Sequence, residues 1–199
     1  MKKGIAIYGG SFNPPANSHI SIANQIIEKI EFIQELVFLP VNIEYGKDEL
    51  ISNEHRYNML TIICKSNKKF TVSDYELKSK EKNYTIDTLN VLKEKYKKEL
   101  YFVIGTDNLK EIKFWKEAEE LLNQFKLIVV ERGNDSFEDI IKEDKFLKVH
   151  EKSLIKADGV KTEYICSSKI REKVKNKENI SQYLPLEIKK YIKDNKLYL

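Results

Sequence analysis

The chain has 199 residues, enough for one sizeable core, with 41% hydrophobic and 33% charged residues. Seven glycines and four prolines exclude collagen-like, low-complexity and disordered chains, and two cysteines, Cys64 and Cys166, cannot build a disulfide framework and fit a reducing cytosol. A net charge of +4, with 35 basic and 31 acidic residues interspersed, is weak support for a nucleic-acid partner.

The apolar run at the N-terminus ends at Gly9-Gly10, too short for the core of a secretory leader. No apolar run reaches a membrane span. Strand-like runs are expected at Gly4–Tyr8, Leu36–Leu39, Phe70–Val72, Leu100–Ile104 and Leu127–Val130. Helical patterns lie between them. Ile20, Ala23, Ile26, Ile27 and Ile30 recur at spacings of three and four, and so do Leu89, Leu92 and Tyr96. A helix near Asn53–Cys64 carries Tyr57, Leu60 and Ile63 on one face, and Thr85 is a candidate N-cap for the next. The last forty residues read as mostly helical, with Ser167 as an N-cap and a final helix from Leu184-Pro185 to about Lys193. No internal repeat and no Pro/Gly/Ser-rich linker divides the chain, so residues 1–199 are expected to form one domain. Strands alternating with helices imply an α/β fold: a Rossmann-like, doubly wound parallel sheet with a small helical C-terminal part, about 160–199. Such sheets bind ligands beyond the carboxyl ends of their strands. Gly9-Gly10, Pro40 and Gly105-Thr106-Asp107 stand at those ends.

Two motifs carry chemistry. In Tyr8-Gly9-Gly10-Ser11-Phe12-Asn13-Pro14-Pro15-Ala16-Asn17-Ser18-His19, two glycines let the backbone turn and approach a ligand, and His19 opens a helix whose N–H groups favour anions. Alone, it equally reads as a tight turn with a surface histidine. In Cys166-Ser167-Ser168-Lys169-Ile170-Arg171, hydroxyls open a helix and an arginine follows Ser168 by one turn, an arrangement suited to a phosphate. Alone, it reads more readily as a serine cap and a solvated arginine. Arginine is scarce: Arg56, Arg132 and Arg171 are the only three, so each is a candidate for a planar, bidentate contact. Arg56, beside Met59, is expected to serve structure, and Arg132 has no assignment. No Cys/His spacing suits a metal site.

Together the motifs resemble the signature pair, H/T-x-G-H and I-S-S-T-x-I-R, of a nucleotidyltransferase superfamily. The chain is most similar to its nicotinate mononucleotide adenylyltransferase family over nearly its whole length. The matching segments are Gly9–Pro15, Leu39-Pro40 with Lys47 and His55–Leu60, Tyr84–Leu89, Ile104–Leu109 with Trp115, the second motif, and the tail from Leu184 to Tyr198. The resemblance implies adenylyl transfer from ATP to nicotinate mononucleotide, giving nicotinate adenine dinucleotide and pyrophosphate in NAD biosynthesis. It implies Mg²⁺ carried on the ATP phosphates, no metal held by the protein, and a cytoplasmic enzyme. The partners are these two small molecules, with no nucleic acid and no membrane; a homo-oligomer is compatible. His19, Arg171 and Lys47 would be catalytic. Gly9, Gly10, Ser11, Phe12, His19, Gly105, Asp107, Ile165, Ser167, Ser168 and Arg171 would hold ATP, and Asn13, Lys47, Thr85 and Trp115 the acceptor.

The chain departs from the family pattern at Ala16, where a His or Thr donor is expected, and at Ser18, where glycine is expected. One absent donor is worth about 10²–10³ in rate. That motivates the expectation that Ala16→His with Ser18→Gly raises turnover. It also keeps open a weak or inactive nucleotide-binding module on the same fold. A related transferase with another acceptor, such as phosphopantetheine, is a further alternative, disfavoured by Tyr84–Leu89 and Trp115.

Overall fold

The computed structural model describes residues 1–42, 50–161 and 166–199. Six strands form one sheet: β1 (Gly4–Gly10), β2 (Ile33–Pro40), β3 (Phe70–Val72), β4 (Glu99–Gly105), β5 (Lys126–Val130) and β6 (Leu154–Lys156). Their order is β3-β2-β1-β4-β5-β6, and every pairing among the described residues is parallel. The strand order reverses between β1 and β4, which opens a crevice beyond their carboxyl ends.

The helices are α1 (Asn17–Lys29), α2 (Asn53–Cys64), α3 (Thr85–Tyr96), α4 (Thr106–Glu111), α5 (Ala118–Gln124), α6 (Phe137–Glu143), α7 (Lys145–Val149), α8 (Ser167–Lys175) and α9 (Leu186–Asp194). They cover both faces, so alternate strand residues enter different cores. Ala6 and Tyr8 pack with Leu36, Phe38, Ile22 of α1 and Met59 of α2. Ile5 and Ile7 pack with Val37, Leu39 and the Ile86, Leu89 and Leu92 face of α3. Each fully buried aliphatic side chain contributes about 1.5–3 kcal/mol. Among the described residues no helix is long and apolar enough to cross a membrane.

The structure corrects several sequence readings. Thr85 and Ser167 are the first helical residues, not the caps; Tyr84 and Cys166 precede them in extended conformation and supply no side-chain cap. The C-terminal part is less helical than expected: α8 and α9 are nine residues each, joined by turns. Neither α6, α7 nor the three-residue edge strand β6 was signalled by the apolar pattern.

Arg56 of α2 is fully buried. Its Nε donates to the Ile51 carbonyl at 3.2 Å, Nη1 to the Ser11 carbonyl at 3.0 Å and Nη2 to Asn53 Oδ1 at 2.6 Å. Burial pulls its pKa down to about 10, so it remains a cation at neutral pH. The structural role expected for it is therefore a tie between α2 and the segment after β1. Lysine has its three donors on one nitrogen and cannot span the acceptors reached by three separate nitrogens of Arg56, so Arg56→Lys is expected to cost about 2 kcal/mol in urea unfolding. An unchanged unfolding midpoint would contradict this.

Candidate functional site

Two adjoining cavities open at the crevice. The smaller, about 150 Å³, is bounded by Leu39, Glu76, Asn83, Thr85, Ile104 and Trp115. The larger, about 520 Å³, is bounded by Phe12, His19, Asp107, Ser167, Ser168 and Arg171. Tyr8, Gly9, Gly10, Ser11, Asn108 and Arg132 line both, so they form the shared wall. The structure thus brings Phe12, His19, Asp107, Ser167, Ser168 and Arg171 to one cavity and Thr85 and Trp115 to the other; Gly105, expected at the nucleotide, lines the smaller cavity, and Asn13, expected at the acceptor, lines the larger. Lys47 and Ile165 lie outside the described residues.

The segment from Ser11 to Pro15 joins β1 to α1 with no strand or helix to satisfy its carbonyls, so distant side chains do so. Arg56 serves Ser11. Arg171 Nη1 donates to the Asn13 carbonyl at 3.1 Å, and Ser167 Oγ to the Pro14 carbonyl at 3.0 Å. The Tyr198 hydroxyl donates to Asn13 Oδ1 at 2.8 Å, and the Ile51 N–H reaches the same oxygen at 3.4 Å. Asn13 is 2% exposed, and its side-chain oxygen is committed to Tyr198 and Ile51. Phe12 takes a left-handed φ of 47°, which is strained for an aromatic residue. The strain is offset by burying its ring against Tyr8, His19 and Phe38, at centroid distances of 5.5, 5.2 and 5.5 Å.

His19 is the third residue of α1. Its Nδ1 accepts the Ala16 N–H at 2.9 Å. Nδ1 is therefore unprotonated, and in the neutral ring Nε2 carries the hydrogen. Burial, helped by the nearby positive charge of Arg132, pulls the pKa down to about 4. At neutral pH His19 is a neutral N–H donor of defined tautomer and orientation.

Arg132 follows β5. Its backbone N–H donates to Thr106 Oγ1 at 3.0 Å, and its Nη1 pairs with Asp107 Oδ2 at 3.2 Å. Gly105 makes this possible: a Cβ there would run into Arg132 Nε and Asp107 Oδ1. The Tyr8 hydroxyl is buried beside the Arg132 guanidinium, and burial pushes its pKa up to about 12. Arg132 is the functional candidate that sequence reasoning left unassigned. Its scarcity was the available signal; its partner Asp107 lies 25 positions away on another element. Trp115 packs edge-on against Phe102 at 6.4 Å while lining the smaller cavity, so it is both packing and wall. Among the described residues no cluster of ligating side chains suits a metal ion.

The structure revises the reading of Ala16. It is fully buried in the core with Tyr8, Phe12 and Ile170, and lines neither cavity. The alanine here fits a packed position.

Comparison with known proteins shows the family and agrees with the fold. A family model described as cytidylyltransferase-like matches residues 7–173. The probable nicotinate-nucleotide adenylyltransferase of Fusobacterium nucleatum is 39% identical, over 94% of this chain and 96% of that one. Its counterpart in Carboxydothermus hydrogenoformans is 35% identical, over 98% and 97%. The Plasmodium falciparum nicotinic acid mononucleotide adenylyltransferase, solved in complex with NaAD, superposes with a TM-score of 0.78 at 28% identity, covering 98% of this chain and 97% of that one.

Two outcomes follow from this geometry. The unfolded chain binds a proton at its ordinary histidine pKa of 6.5 and folded His19 only near 4, so its contribution to stability is complete above pH 6.5 and declines towards pH 4. Urea unfolding at pH 7.5 and 4.5 is expected to show a smaller acid loss in His19→Gln than in the parent; parallel losses would contradict the assignment. Ala16→His with Ser18→Gly is expected to destabilise by about 1–3 kcal/mol, because an imidazole overfills the site. A stable double variant with higher turnover would restore the lost-donor account.

Proposed function

The chain belongs to the cytidylyltransferase-like family, and we propose that it acts as a nicotinate-nucleotide adenylyltransferase, transferring the adenylyl group of ATP to nicotinate mononucleotide in NAD biosynthesis. The observation that carries this reading is the pair of adjoining cavities, which meet at a shared wall beside a neutral, oriented His19.

The acceptor phosphate is already anionic. One of its oxygens attacks the α-phosphorus of ATP, and the bond to the pyrophosphate oxygen breaks. No base or protein nucleophile is needed. Catalysis rests on alignment and on stabilising charge that grows on the transferred and leaving phosphates. His19 donates through Nε2–H to the α-phosphate. Arg132, on the shared wall, serves the phosphates where the two substrates meet, and the Tyr8 hydroxyl beside it has an unused donor. Ser168 and Arg171 hold the outer phosphates, with Ser167 and Arg171 also bracing the loop below them. Lys47 adds charge across the cleft, an assignment that rests on the family resemblance. Asp107 receives the ribose hydroxyls, exchanging its ion pair with Arg132 for them. Trp115 stacks on the pyridine ring. The first-turn N–H groups of α3, beginning at Thr85, receive the ring carboxylate.

The phosphate cavity is lined by donors and cations, with Asp107 as its carboxylate. These residues fit Mg²⁺ brought in on the triphosphate, where it neutralises phosphate charge, and not an ion held by the protein.

Pyrophosphate release with ATP and a panel of acceptors tests the reading. Nicotinate mononucleotide is expected to be the best acceptor at neutral pH, ahead of the nicotinamide form, and phosphopantetheine inert. ATP binding without pyrophosphate release from any acceptor would leave a nucleotide-binding module instead. His19→Ala is expected to lower turnover by about 10²–10³ with little change in ATP affinity, because its hydrogen bond strengthens in the transition state. Near-parental turnover would remove His19 from the mechanism. Arg171→Lys is expected to weaken ATP binding although charge is kept, since lysine loses the planar fork; unchanged affinity would remove the clamp.

A further inference from the structure

The mechanism leaves one ionisable group of the smaller cavity unused. Glu76 opens a 3-10 turn, Glu76–Lys78, and is 6% exposed. Thr88 Oγ1 donates to its Oε1 at 2.9 Å in a buried hydrogen bond. Thr85 lies one turn earlier on the same face of α3. Glu76, Thr85, Asn83 and Trp115 line the same cavity, and Asn83 Oδ1 is buried with no partner among the described residues. A carboxyl group and an uncommitted amide thus stand at the cavity assigned to the pyridine ring.

Resting on that assignment, we infer that Glu76 determines which ring substituent the acceptor carries: as a carboxylic acid it donates to a ring carboxylate, and as a carboxylate it accepts from a ring carboxamide. The proton is what distinguishes the two substrates. An ionised Glu76 beside a nicotinate carboxylate places two like charges in a confined space, which is unfavourable. A protonated Glu76 turns the same contact into a charge-assisted hydrogen bond. Asn83 supplies either a donor or an acceptor to match.

Its surroundings make the proton available. Burial pushes the Glu76 carboxyl up to about 7, with the Thr88 hydrogen bond opposing that rise. Among the described residues, charged groups on its neighbours are engaged elsewhere. Asp74 and Lys78 on its own segment pair with each other, and Asp87 of α3 pairs with Lys116. The residues after β2 contribute Val41 and Asn42, and Arg132 across the cavity pairs with Asp107. Nicotinate mononucleotide binding above pH 7 therefore takes up a proton, and the amide analogue does not.

The test compares kcat/KM for the two acceptors from pH 6.5 to 8.5. Their phosphates titrate alike and cancel in the ratio. The acid-to-amide ratio follows the ratio of protonated to ionised Glu76 and is expected to fall by about a hundredfold across these two pH units. In Glu76→Gln, which donates and accepts at every pH, the ratio is expected to be flat. Thr88→Val removes the hydrogen bond to the carboxylate and is expected to move the fall to higher pH. Calorimetry of the parent at pH 8, in two buffers of different ionisation enthalpy, is expected to show proton uptake with the acid and none with the amide, and requires no turnover. A flat ratio in the parent, an unchanged slope in Glu76→Gln or equal proton uptake would overturn the inference while leaving the transferase reading intact. Binding of neither mononucleotide would overturn both.

Discussion

A loop that carries a ligand at the switch point of a parallel sheet cannot leave its own carbonyls unpaired, and this constraint organises much of the molecule. Ser11–Pro15 leaves β1 and crosses to α1 through a crowded interior where sheet and helix bonding have both ended. Its carbonyl oxygens are met by Arg56, Ser167 and Arg171, and its Asn13 side chain by Tyr198 and Ile51. The partners come from α2, α8 and the C-terminal tail, elements with no strand in the sheet. Long-range closure of the chain is thereby tied to loop geometry. Because an unpaired buried carbonyl costs about 1–3 kcal/mol, each of these contacts selects one loop conformation over its neighbours. Two of the three arginines are used here; a guanidinium spreads its donors over three nitrogens in one plane, so a single side chain can reach acceptors that lie apart.

The same loop explains how histidine acts without changing its protonation state. His19 accepts from the Ala16 N–H, so a backbone group sets the tautomer and ring angle. Burial keeps the ring neutral. A neutral donor does not bind ground-state triphosphate with the strength of a full charge, and its hydrogen bond strengthens as negative charge accumulates. In the proposed mechanism, binding and acceleration are divided between groups: arginines hold phosphate throughout, and the imidazole responds to the transition state. Arg132 links the two, since its charge helps keep His19 neutral while its side chain faces both cavities.

Apolar runs located five strands because parallel strands covered on both faces read as continuous hydrophobic segments. β6 was not visible, being three residues at an edge, and α6 and α7 are too short to establish a period. Thr85 and Ser167 were placed one residue early as caps because hydroxyls usually cap; here the preceding residues supply the extended backbone and the hydroxyls sit inside the first turn. The motif pair points to a single crevice, and the structure brings residues of both motifs, His19 and Arg171 among them, to one cavity. Arg132 escaped assignment because its meaning lies in Asp107 and Thr106, contacts set by the adjacency of β4 and β5. Glu76 escaped notice because nothing local distinguishes a buried acid from the exposed Glu81 a few residues later. Ala16 was legible as a departure from the pattern, but not as a packed position; burial is a property of the fold and not of the motif.

The two cavities differ in how they treat charge, and the difference follows from the strands beneath them. The phosphate cavity lies over the start of α1 and α8, where free N–H groups, His19 and Arg171 all favour anions. The smaller cavity lies over the ends of β2 and β4 against apolar Leu39 and Ile104, so a carboxyl group there is desolvated and resists ionisation. Arg132 stands on the wall between them and pairs with Asp107 at the mouth of the larger one. In the proposed reaction, nucleotide that claims Asp107 for its ribose frees a guanidinium at the junction where the second phosphate must arrive. The ion pair thus makes the acceptor's electrostatic environment depend on whether ATP is already in place, a coupling between the cavities that requires only the exchange of one hydrogen-bond partner.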